Sequence, residues 1–261
     1  MILQLREKKL LISSWYGEFD LSGDNRSYEW INRGYGYKAL DNSVDDNNFP
    51  WFLFWEIAWV LLNNEFKGGQ SVLDLGGSSS LFSYYLASKG LEVITIDLNH
   101  GLVGNANYAA EKLAWNMKNY VMDMRSINFN RQFDHIVSLC VFEHIPMFDR
   151  IEINKNIREL LVEGGKFSIT FDYRNPSKFS QFDSPTEVHK QFVIPSGLKI
   201  RGNEVFYDNQ KNYLLHPFFY NGFLSDYKKE QIRLGHFDAS LMNDTKNKND
   251  YTFAALFLEK S

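Results

Sequence analysis

The sequence lacks the features that mark several large classes of protein. It contains a single cysteine, Cys140, which excludes an internal disulfide framework and a cysteine-rich metal site. Its histidines and acidic residues do not fall at metal-ligand spacing, so the sequence predicts no bound metal. The formal net charge is −4 and the sequence contains no run of basic residues, so it lacks the electrostatic pattern of a nucleic-acid-binding protein.

Long apolar runs are missing as well. No segment approaches the length of a membrane-spanning helix, and charged side chains within residues 1–12 interrupt any signal-peptide core. We therefore expect a cytoplasmic protein with no membrane partner; its oligomeric state cannot be read from the sequence. The chain has 261 residues, 44% of them apolar, which is enough for one large α/β domain with an insertion or for two small domains.

The most informative stretch present is Val72–Ser80, which reads VLDLGGSSS. A short apolar run bounded by turn residues predicts a buried strand. Gly76 and Gly77 permit a tight turn and a close approach of a ligand to the backbone. The serines supply capping hydroxyls for a helix that begins near Leu81. A strand, a glycine turn and a helix together predict the nucleotide-binding corner of an open α/β sheet.

Strands and helices alternate on both sides of this corner, which favours a parallel sheet with right-handed crossovers. The predicted strands are 71–75, 92–97, 120–122, 133–139, 166–171, 237–242 and 251–259, the last two forming an antiparallel pair. The predicted helices are 51–66, 102–118, one with an apolar stripe from 153 to 161, and one near 221–233. The fold class is therefore α/β: a Rossmann-like, mostly parallel seven-stranded sheet with an antiparallel last strand and helices on both faces.

Two regions depart from the alternating pattern and divide the chain. Residues 1–66 are predicted to form an N-terminal arm and a first helix that act as a cap or flap. Residues 67–261 are predicted to form the main domain, with an insertion at about 174–215 over the carboxyl edge of the sheet. Loops at that edge vary most among such folds, so both regions are expected to set substrate specificity.

Polar side chains collect where the predicted strands end. Asp74, Asp97, Asp123 and Ser138 lie at or just after the ends of the first four strands. Carboxyl ends of parallel strands share one edge of the sheet, where ligands of such folds bind. Asp97 follows Asp74 by 97 − 74 = 23 residues, which is typical of an acid that accepts hydrogen bonds from ribose hydroxyls.

These segments together resemble the class I S-adenosylmethionine-dependent methyltransferases. The stretch Val72–Ser78 is similar to their first motif, and Ile94–Leu98 and Met122–Arg125 are similar to the second and third. Phe133–Ile145, which ends in Glu-His-Ile, resembles the fourth motif of many small-molecule members. One departure is that Ser78 and Ser80 stand where the family usually has its second and third glycines.

The resemblance implies S-adenosylmethionine as cofactor and assigns a role to each polar position. Asp74 would fix the glycine turn and help to hold the cofactor ammonium group, with Gly76, Gly77 and Ser78 passing beneath the methionine part. Asp97 would hold the ribose, and Leu98 would pack on the adenine. Asp123 would accept a hydrogen bond from the adenine amino group, with Met124 beside it. Ser138 would lie near the amino group of the methionine part.

The implied reaction is methyl transfer to a hydroxyl, amine or carboxyl group of a small molecule such as a metabolite or a sugar-like intermediate. His144 is the leading candidate for the base that removes the acceptor proton, and Glu143 is the second. Each acid could instead be a turn or capping residue, and His144 could be structural. A non-catalytic S-adenosylmethionine-binding protein remains an alternative. A nicotinamide-dependent oxidoreductase is a weaker one, because Gly76–Leu81 does not follow G-x-G-x-x-G.

Overall fold

A computed structural model of the chain describes residues 51–174, 182–202, 205–208 and 252–261. The predicted arm at 1–48, the helix near 221–233 and the strand at 237–242 lie outside these residues. Among the described residues, no helix combines the length and apolar character needed to cross a membrane.

The described elements alternate in the order that the sequence predicts. The helices are α1 (Trp51–Asn63), α2 (Leu81–Ser88), α3 (His100–Leu113), α4 (Met147–Ile157), α5 (Pro185–Val188) and α6 (Ile194–Ser196), with a π-helical turn at His189–Val193 between the last two. The strands are β1 (Ser71–Leu75), β2 (Glu92–Asp97), β3 (Met117–Val121), β4 (Phe133–Leu139), β5 (Leu161–Tyr173), β6 (Lys199–Ile200) and β7 (Thr252–Glu259). Short 3-10 turns at Met124–Ser126 and Phe142–His144 follow β3 and β4.

The strands form one sheet in the order β3-β2-β1-β4-β5-β7-β6. β1 pairs in parallel with β2 and β4, and β3 and β5 extend the parallel region on either side. β7 is antiparallel to both of its neighbours, β5 and β6. The predicted fold class, a mostly parallel seven-stranded sheet with an antiparallel last strand, is confirmed.

Helices cover both faces of the sheet, and the alternation of side chains along β1 shows why. Val72 packs with buried residues of α1, α2 and α3, whereas Leu73 and Leu75 pack with residues of α4 and the 182–198 segment. All five residues of β1 are buried. Full burial of an aliphatic side chain contributes about 1.5 to 3 kcal/mol, so this central strand anchors the fold.

The structure corrects several predicted boundaries. α3 ends at Leu113 because Ala114 adopts a left-handed conformation (φ 51°), so the helix does not reach 118. β3 is Met117–Val121, not 120–122, because its register is set by pairing with β2. The helix predicted to end at Gly164 and Gly165, with an apolar stripe that reaches Leu161, ends at Ile157, since Leu161 already pairs with Phe133 of β4.

Part of the predicted insertion contributes to the sheet itself. Within 174–215, residues 185–196 form the helical segment that packs on α4 and β5, and β6 pairs with β7 at the sheet edge. The division of the chain into an arm, a main domain and an insertion otherwise stays a prediction.

The sheet order places a crevice at the carboxyl ends of β1 and β4. The chain leaves β1 toward β2 on one side, and β4 pairs on the other side, so the direction of the connections reverses between β1 and β4. Open α/β sheets bind ligands at such a reversal. The glycine turn after β1 and the loop after β4 therefore face each other across this crevice.

Candidate active site

A cavity of about 430 Å³ lies at this crevice. Its wall combines the turn after β1, the start of α2, the start of α3, the loop after β4 and one residue of α1. The lining residues are Ile57, Asp74, Gly76, Gly77, Ser78, Ser79, Ser80, Phe82, Asn99, Leu102, Leu139, Cys140 and Val141. Four residues predicted to bind the cofactor, Asp74, Gly76, Gly77 and Ser78, are among them.

The glycine turn is shaped by close contacts that only glycine permits. Gly76 has φ 79°, and its backbone N–H donates to the Ile96 carbonyl at 2.8 Å. A Cβ on Gly76 would lie 2.8 Å from the Val141 methyl groups and 3.1 Å from Met124 Cε. A Cβ on Gly77 would overlap the Asp74 carboxyl group. The turn therefore requires glycine at both positions.

Asp74 is a buried acid with an altered protonation equilibrium. Its side chain is 2% exposed, and Oδ2 accepts a 2.5 Å hydrogen bond from the Ser83 hydroxyl. Burial, together with the negative charge of Asp97, raises the pKa of Asp74 to about 7, although the Ser83 hydrogen bond lowers it. Near neutral pH the protonated and ionised forms of Asp74 therefore both occur.

Each serine after the glycine turn has its own structural task. Ser78 Oγ lies 2.6 Å from Thr95 Oγ1, which donates to Asn119 Oδ1 at 2.6 Å. Ser79 has φ 59° and donates to the Leu102 carbonyl at 2.8 Å, tying the turn to α3. Ser80 caps α2 by accepting from the Ser83 backbone N–H at 3.0 Å. Their hydroxyls are thereby bonded within the protein, which explains how serine replaces the expected glycine at 78 and 80.

Asp97 is the last residue of β2 and Leu98 follows it, and neither residue lines the cavity. Asp97 is partly buried, and its Oδ1 accepts the Asn99 backbone N–H at 2.8 Å. Burial raises the pKa of Asp97. Leu98 is 66% exposed, so it presents an apolar surface to solvent at this edge. Their assignments to ribose and adenine stay predictions.

The Asp123 carboxylate accepts hydrogen bonds from Arg125, two residues further along the chain. Its Oδ2 accepts from Arg125 at 2.6 and 3.0 Å, and its Oδ1 accepts the Arg125 backbone N–H at 2.8 Å. These hydrogen bonds lower the pKa of Asp123. Met124, by contrast, reaches the glycine turn next to Gly76. The adenine roles of Asp123 and Met124 stay predictions; an adenine at Asp123 would share the carboxylate with Arg125.

Ser138 joins two central strands. It is fully buried, and its hydroxyl donates to the Leu75 carbonyl at 2.8 Å, so β4 is fixed to the end of β1. The hydroxyl serves this contact, which leaves the backbone as the means by which Ser138 would approach the cofactor. Its predicted cofactor contact is untested.

The two predicted catalytic residues occupy the 3-10 turn after β4. Glu143 is 1% exposed, whereas the His144 side chain is 56% exposed. The distance from Glu143 Oε1 to His144 Nε2 is 4.0 Å. Neither residue lines the cavity among the described residues. Their catalytic roles stay predictions.

Two residues that the sequence analysis did not select form a pair in the cavity wall. Glu56 of α1 is fully buried, and its Oε2 and Oε1 accept from Cys140 Sγ at 2.9 and 3.1 Å. Cys140 follows β4 directly and has φ 54°, a conformation that costs a non-glycine residue about 1 to 2 kcal/mol. Non-glycine residues in such conformations cluster at functional sites.

The same region also brings together three potential metal ligands. Cys140, Glu143 and Asp172 each have one ligand atom within 4.8 Å of the others. They come from three elements, so sequence spacing could not reveal the cluster. Burial, with Glu56 nearby, raises the pKa of Cys140 well above its ordinary value, and this favours the thiol over the thiolate that binds metals. The absence of a metal stays a prediction.

Some of the cavity residues that were not predicted lie close to strand ends, where a sequence signal exists, and one does not. Asn99 and Leu102 lie at the start of the helix after β2, and Leu139, Cys140 and Val141 lie at the end of β4 and just after it. Ligands of open α/β sheets bind at the carboxyl ends of the strands, so this placement could have indicated these five residues. Ile57 belongs to a helix that precedes the sheet, and no local pattern marks it.

Comparison with known proteins shows what the segment around this cavity is similar to. Residues 72–165 match the family model described as a methyltransferase domain. This segment runs from β1 into β5 and contains the glycine turn and the loop after β4. Residues 72–165 of this chain are therefore similar to a methyltransferase domain, which agrees with the predicted family and with S-adenosylmethionine as the predicted cofactor. The predicted fold class is confirmed by the sheet.

Individual relatives agree with this assignment. A ubiquinone biosynthesis O-methyltransferase of Coxiella burnetii is 29% identical over 142 residues, which cover 50% of this chain and 60% of that protein. The match thus spans less than two thirds of the length of this curated relative.

Solved structures support the fold alone. The magnesium protoporphyrin IX methyltransferase of Synechocystis, solved with bound S-adenosylmethionine, has a TM-score of 0.53 at 14% identity, covering 97% of both chains. The cyclase SpnF has a TM-score of 0.59 at 14% identity, covering 90% of this chain and 93% of that one.

Proposed function

We propose that this protein transfers the methyl group of S-adenosylmethionine to a hydroxyl, amine or carboxyl group of a small molecule. The observation that carries the proposal is the cavity at the ends of β1 and β4, lined by the glycine turn inside the segment that matches the methyltransferase family. An oxygen acceptor is the first class to test, because the curated relatives are O-methyltransferases.

The cavity supports this reaction through proximity and exclusion of water. Methyl transfer from a sulfonium is a direct displacement with an activated leaving group, so alignment of donor and acceptor supplies several kcal/mol of the catalysis. Phe82, Leu102 and Val141 give the cavity an apolar wall, and the absence of side chains at Gly76 and Gly77 would let a ligand come close to the backbone. The volume of about 430 Å³ is in the range of small-molecule sites.

Binding of the cofactor is tested by calorimetry with S-adenosylmethionine and its demethylated product. The Asp97→Ala variant should bind S-adenosylmethionine about 10- to 100-fold more weakly, which is the effect of losing charge-assisted hydrogen bonds to the ribose. Glu111→Gln, which changes an exposed carboxylate of α3, is the matched control and should bind as the wild type does. Unchanged affinity in Asp97→Ala would remove Asp97 from the site.

Turnover is tested with S-adenosylmethionine labelled in its methyl group and an acceptor panel of phenols, alcohols, primary amines and carboxylic acids. Transfer of label to a member of the panel supports the proposal and identifies the acceptor class. Tight binding of the cofactor without transfer to any acceptor favours the alternative of a non-catalytic binding protein. Failure to bind either ligand contradicts both.

A further inference from the structure

Arg125 occupies the hydrogen-bonding positions of the Asp123 carboxylate. Oδ1 accepts the Arg125 backbone N–H at 2.8 Å and Nε at 3.1 Å, and Oδ2 accepts Nε at 3.0 Å and Nη2 at 2.6 Å. A carboxylate offers about four acceptor sites, so these contacts leave little room for another donor. A ligand group that is to donate to Asp123 must therefore displace the Arg125 side chain.

The guanidinium has a second acid within reach. Arg125 Nη1 lies 3.6 Å from Oδ2 of Asp149, which belongs to the first turn of α4. The Arg125 side chain is 55% exposed, so it has room to turn between the two carboxylates without disturbing the core. Ion pairs between exposed side chains contribute little each, so the exchange of one acid for the other has a small cost.

The base of the cofactor would lie at the end of β3. The Met122 backbone N–H donates to the Asp97 carbonyl at 3.1 Å, so the chain after β3 runs beside the acid that is expected to hold the ribose. Two residues further on, Met124 reaches the glycine turn next to Gly76, which places this segment at the cofactor edge of the sheet. Adenine is joined to the ribose, so its exocyclic amino group would meet the Asp123 carboxylate as acceptor.

We propose that Arg125 is a specificity-determining residue for the base of the cofactor: the adenine amino group replaces the guanidinium on Asp123, and the guanidinium turns to Asp149. This inference rests on the proposed function, of which it uses only the cofactor. In the free protein Arg125 competes with the cofactor for Asp123. In the bound protein Asp149 stabilises the complex by accepting the displaced side chain. A base without an amino donor cannot make this exchange.

Calorimetry with S-adenosylhomocysteine, the demethylated product, measures the competition without the charge of the sulfonium. Arg125→Ala should bind this ligand about two- to fivefold more tightly than the wild type, because an exposed ion pair no longer has to be broken. Lys155→Ala removes an exposed cation of α4 that pairs with Glu152, and as the matched control it should bind as the wild type does. Unchanged or weaker binding by Arg125→Ala overturns the proposal, since Arg125 would then not compete for Asp123.

A second ligand separates competition for Asp123 from a general effect of charge. In this analogue of S-adenosylhomocysteine, hydrogen replaces the amino group of the adenine ring, so no donor is left to displace the guanidinium. Arg125→Ala should bind the analogue no more tightly than the wild type does. An equal gain with both ligands shows that the lost positive charge acts at a distance, and it overturns the exchange.

Variants of Asp149 test where the displaced guanidinium goes. Asp149→Asn should bind S-adenosylhomocysteine about two- to threefold more weakly than the wild type, because Arg125 loses its second acceptor. In an Arg125→Ala background the same change should have no effect, since coupled residues are not additive. Glu152→Gln, an exposed acid three residues further along α4, is the matched control and should bind as the wild type does. Unchanged affinity in Asp149→Asn, or an equal loss in both backgrounds, overturns the exchange.

The outcomes also separate the exchange from the function on which it rests. If the wild type binds neither S-adenosylmethionine nor S-adenosylhomocysteine, the proposed function fails and the exchange fails with it. If the wild type binds both and methylates an acceptor, while Arg125→Ala binds S-adenosylhomocysteine no more tightly, only the exchange fails.

Discussion

Replacing Asp74 with asparagine should stabilise the protein at neutral and alkaline pH. Burial and the charge of Asp97 raise the Asp74 pKa from 3.8 to about 7, a difference of about 3 units, or about 4 kcal/mol. A raised pKa in the folded state means that the folded protein binds this proton more tightly than the unfolded chain. Its contribution to stability is complete below about pH 4 and is lost as the pH rises to about 7.

Asparagine has the shape of the protonated acid and does not ionise. Its amide oxygen can still accept the hydrogen bond from the Ser83 hydroxyl. Compared with the wild type, Asp74→Asn should therefore gain up to about 4 kcal/mol at pH 8, and its advantage should grow by about 2 to 3 kcal/mol between pH 5 and pH 8. The assay is urea unfolding of both proteins at the two pH values, without cofactor.

Asp134→Asn is the matched control, because its effect on stability should change with pH in the opposite direction. Burial tends to raise the pKa of Asp134, but hydrogen bonds from the Ser71 backbone N–H and hydroxyl, both 2.8 Å long, lower it overall. Asp134→Asn should consequently be less stable than the wild type at pH 8, with a smaller deficit at acid pH. An Asp74→Asn advantage that does not change between pH 5 and pH 8 would show that Asp74 is ionised in the folded protein and refute the reasoning.

Three further outcomes concern the turn after β1 and helix α3. Gly77→Ala should destabilise the fold by about 1 to 3 kcal/mol in urea unfolding, because its Cβ overlaps the Asp74 carboxyl group. Gly104→Ala in α3, where a Cβ meets open space, should instead stabilise by about 0.5 to 1 kcal/mol. Ser78→Ala should cost about 1 kcal/mol by the same assay, since it removes one end of the buried hydrogen-bond chain to Thr95; an unchanged midpoint would show that this chain contributes nothing.

Buried central strands were the most predictable part of the fold. The predicted limits of β1, β2 and β4 agree with the structure, because apolar and β-branched residues fill these strands and turn residues bound them. Edge strands follow their partners more than their own pattern, and so β3 begins earlier than predicted. β5 includes Gly164 and Gly165, which lie at a register shift against β4, because backbone hydrogen bonds join both glycines to Lys260 just after β7. β6 has only two residues, too few to produce a pattern.

In the candidate site too, residues that are adjacent in the sequence were predictable, whereas residues that only folding brings together were not. Asp74, Gly76, Gly77 and Ser78, which the sequence pointed to, line the cavity together because one short stretch forms the turn that holds them. The sequence could not identify the pairing of Glu56 with Cys140, since 84 residues separate the two and only the packing of α1 against the end of β4 joins them. An isolated glutamate in an apolar helix and a lone cysteine carry no local signal of their own.

The order of the strands has a consequence for how the protein is made. β7 comes after β6 in the chain, yet it lies between β5 and β6 in the sheet, and among the described strands β6 pairs with β7 alone. On the ribosome, β6 therefore emerges before the strand on which it depends, and the outer edge of β5 stays open over eight residue pairs until β7 arrives. An open strand edge is a template for pairing with other chains. The cofactor corner can assemble early in translation, whereas protection from aggregation comes with the late insertion of β7.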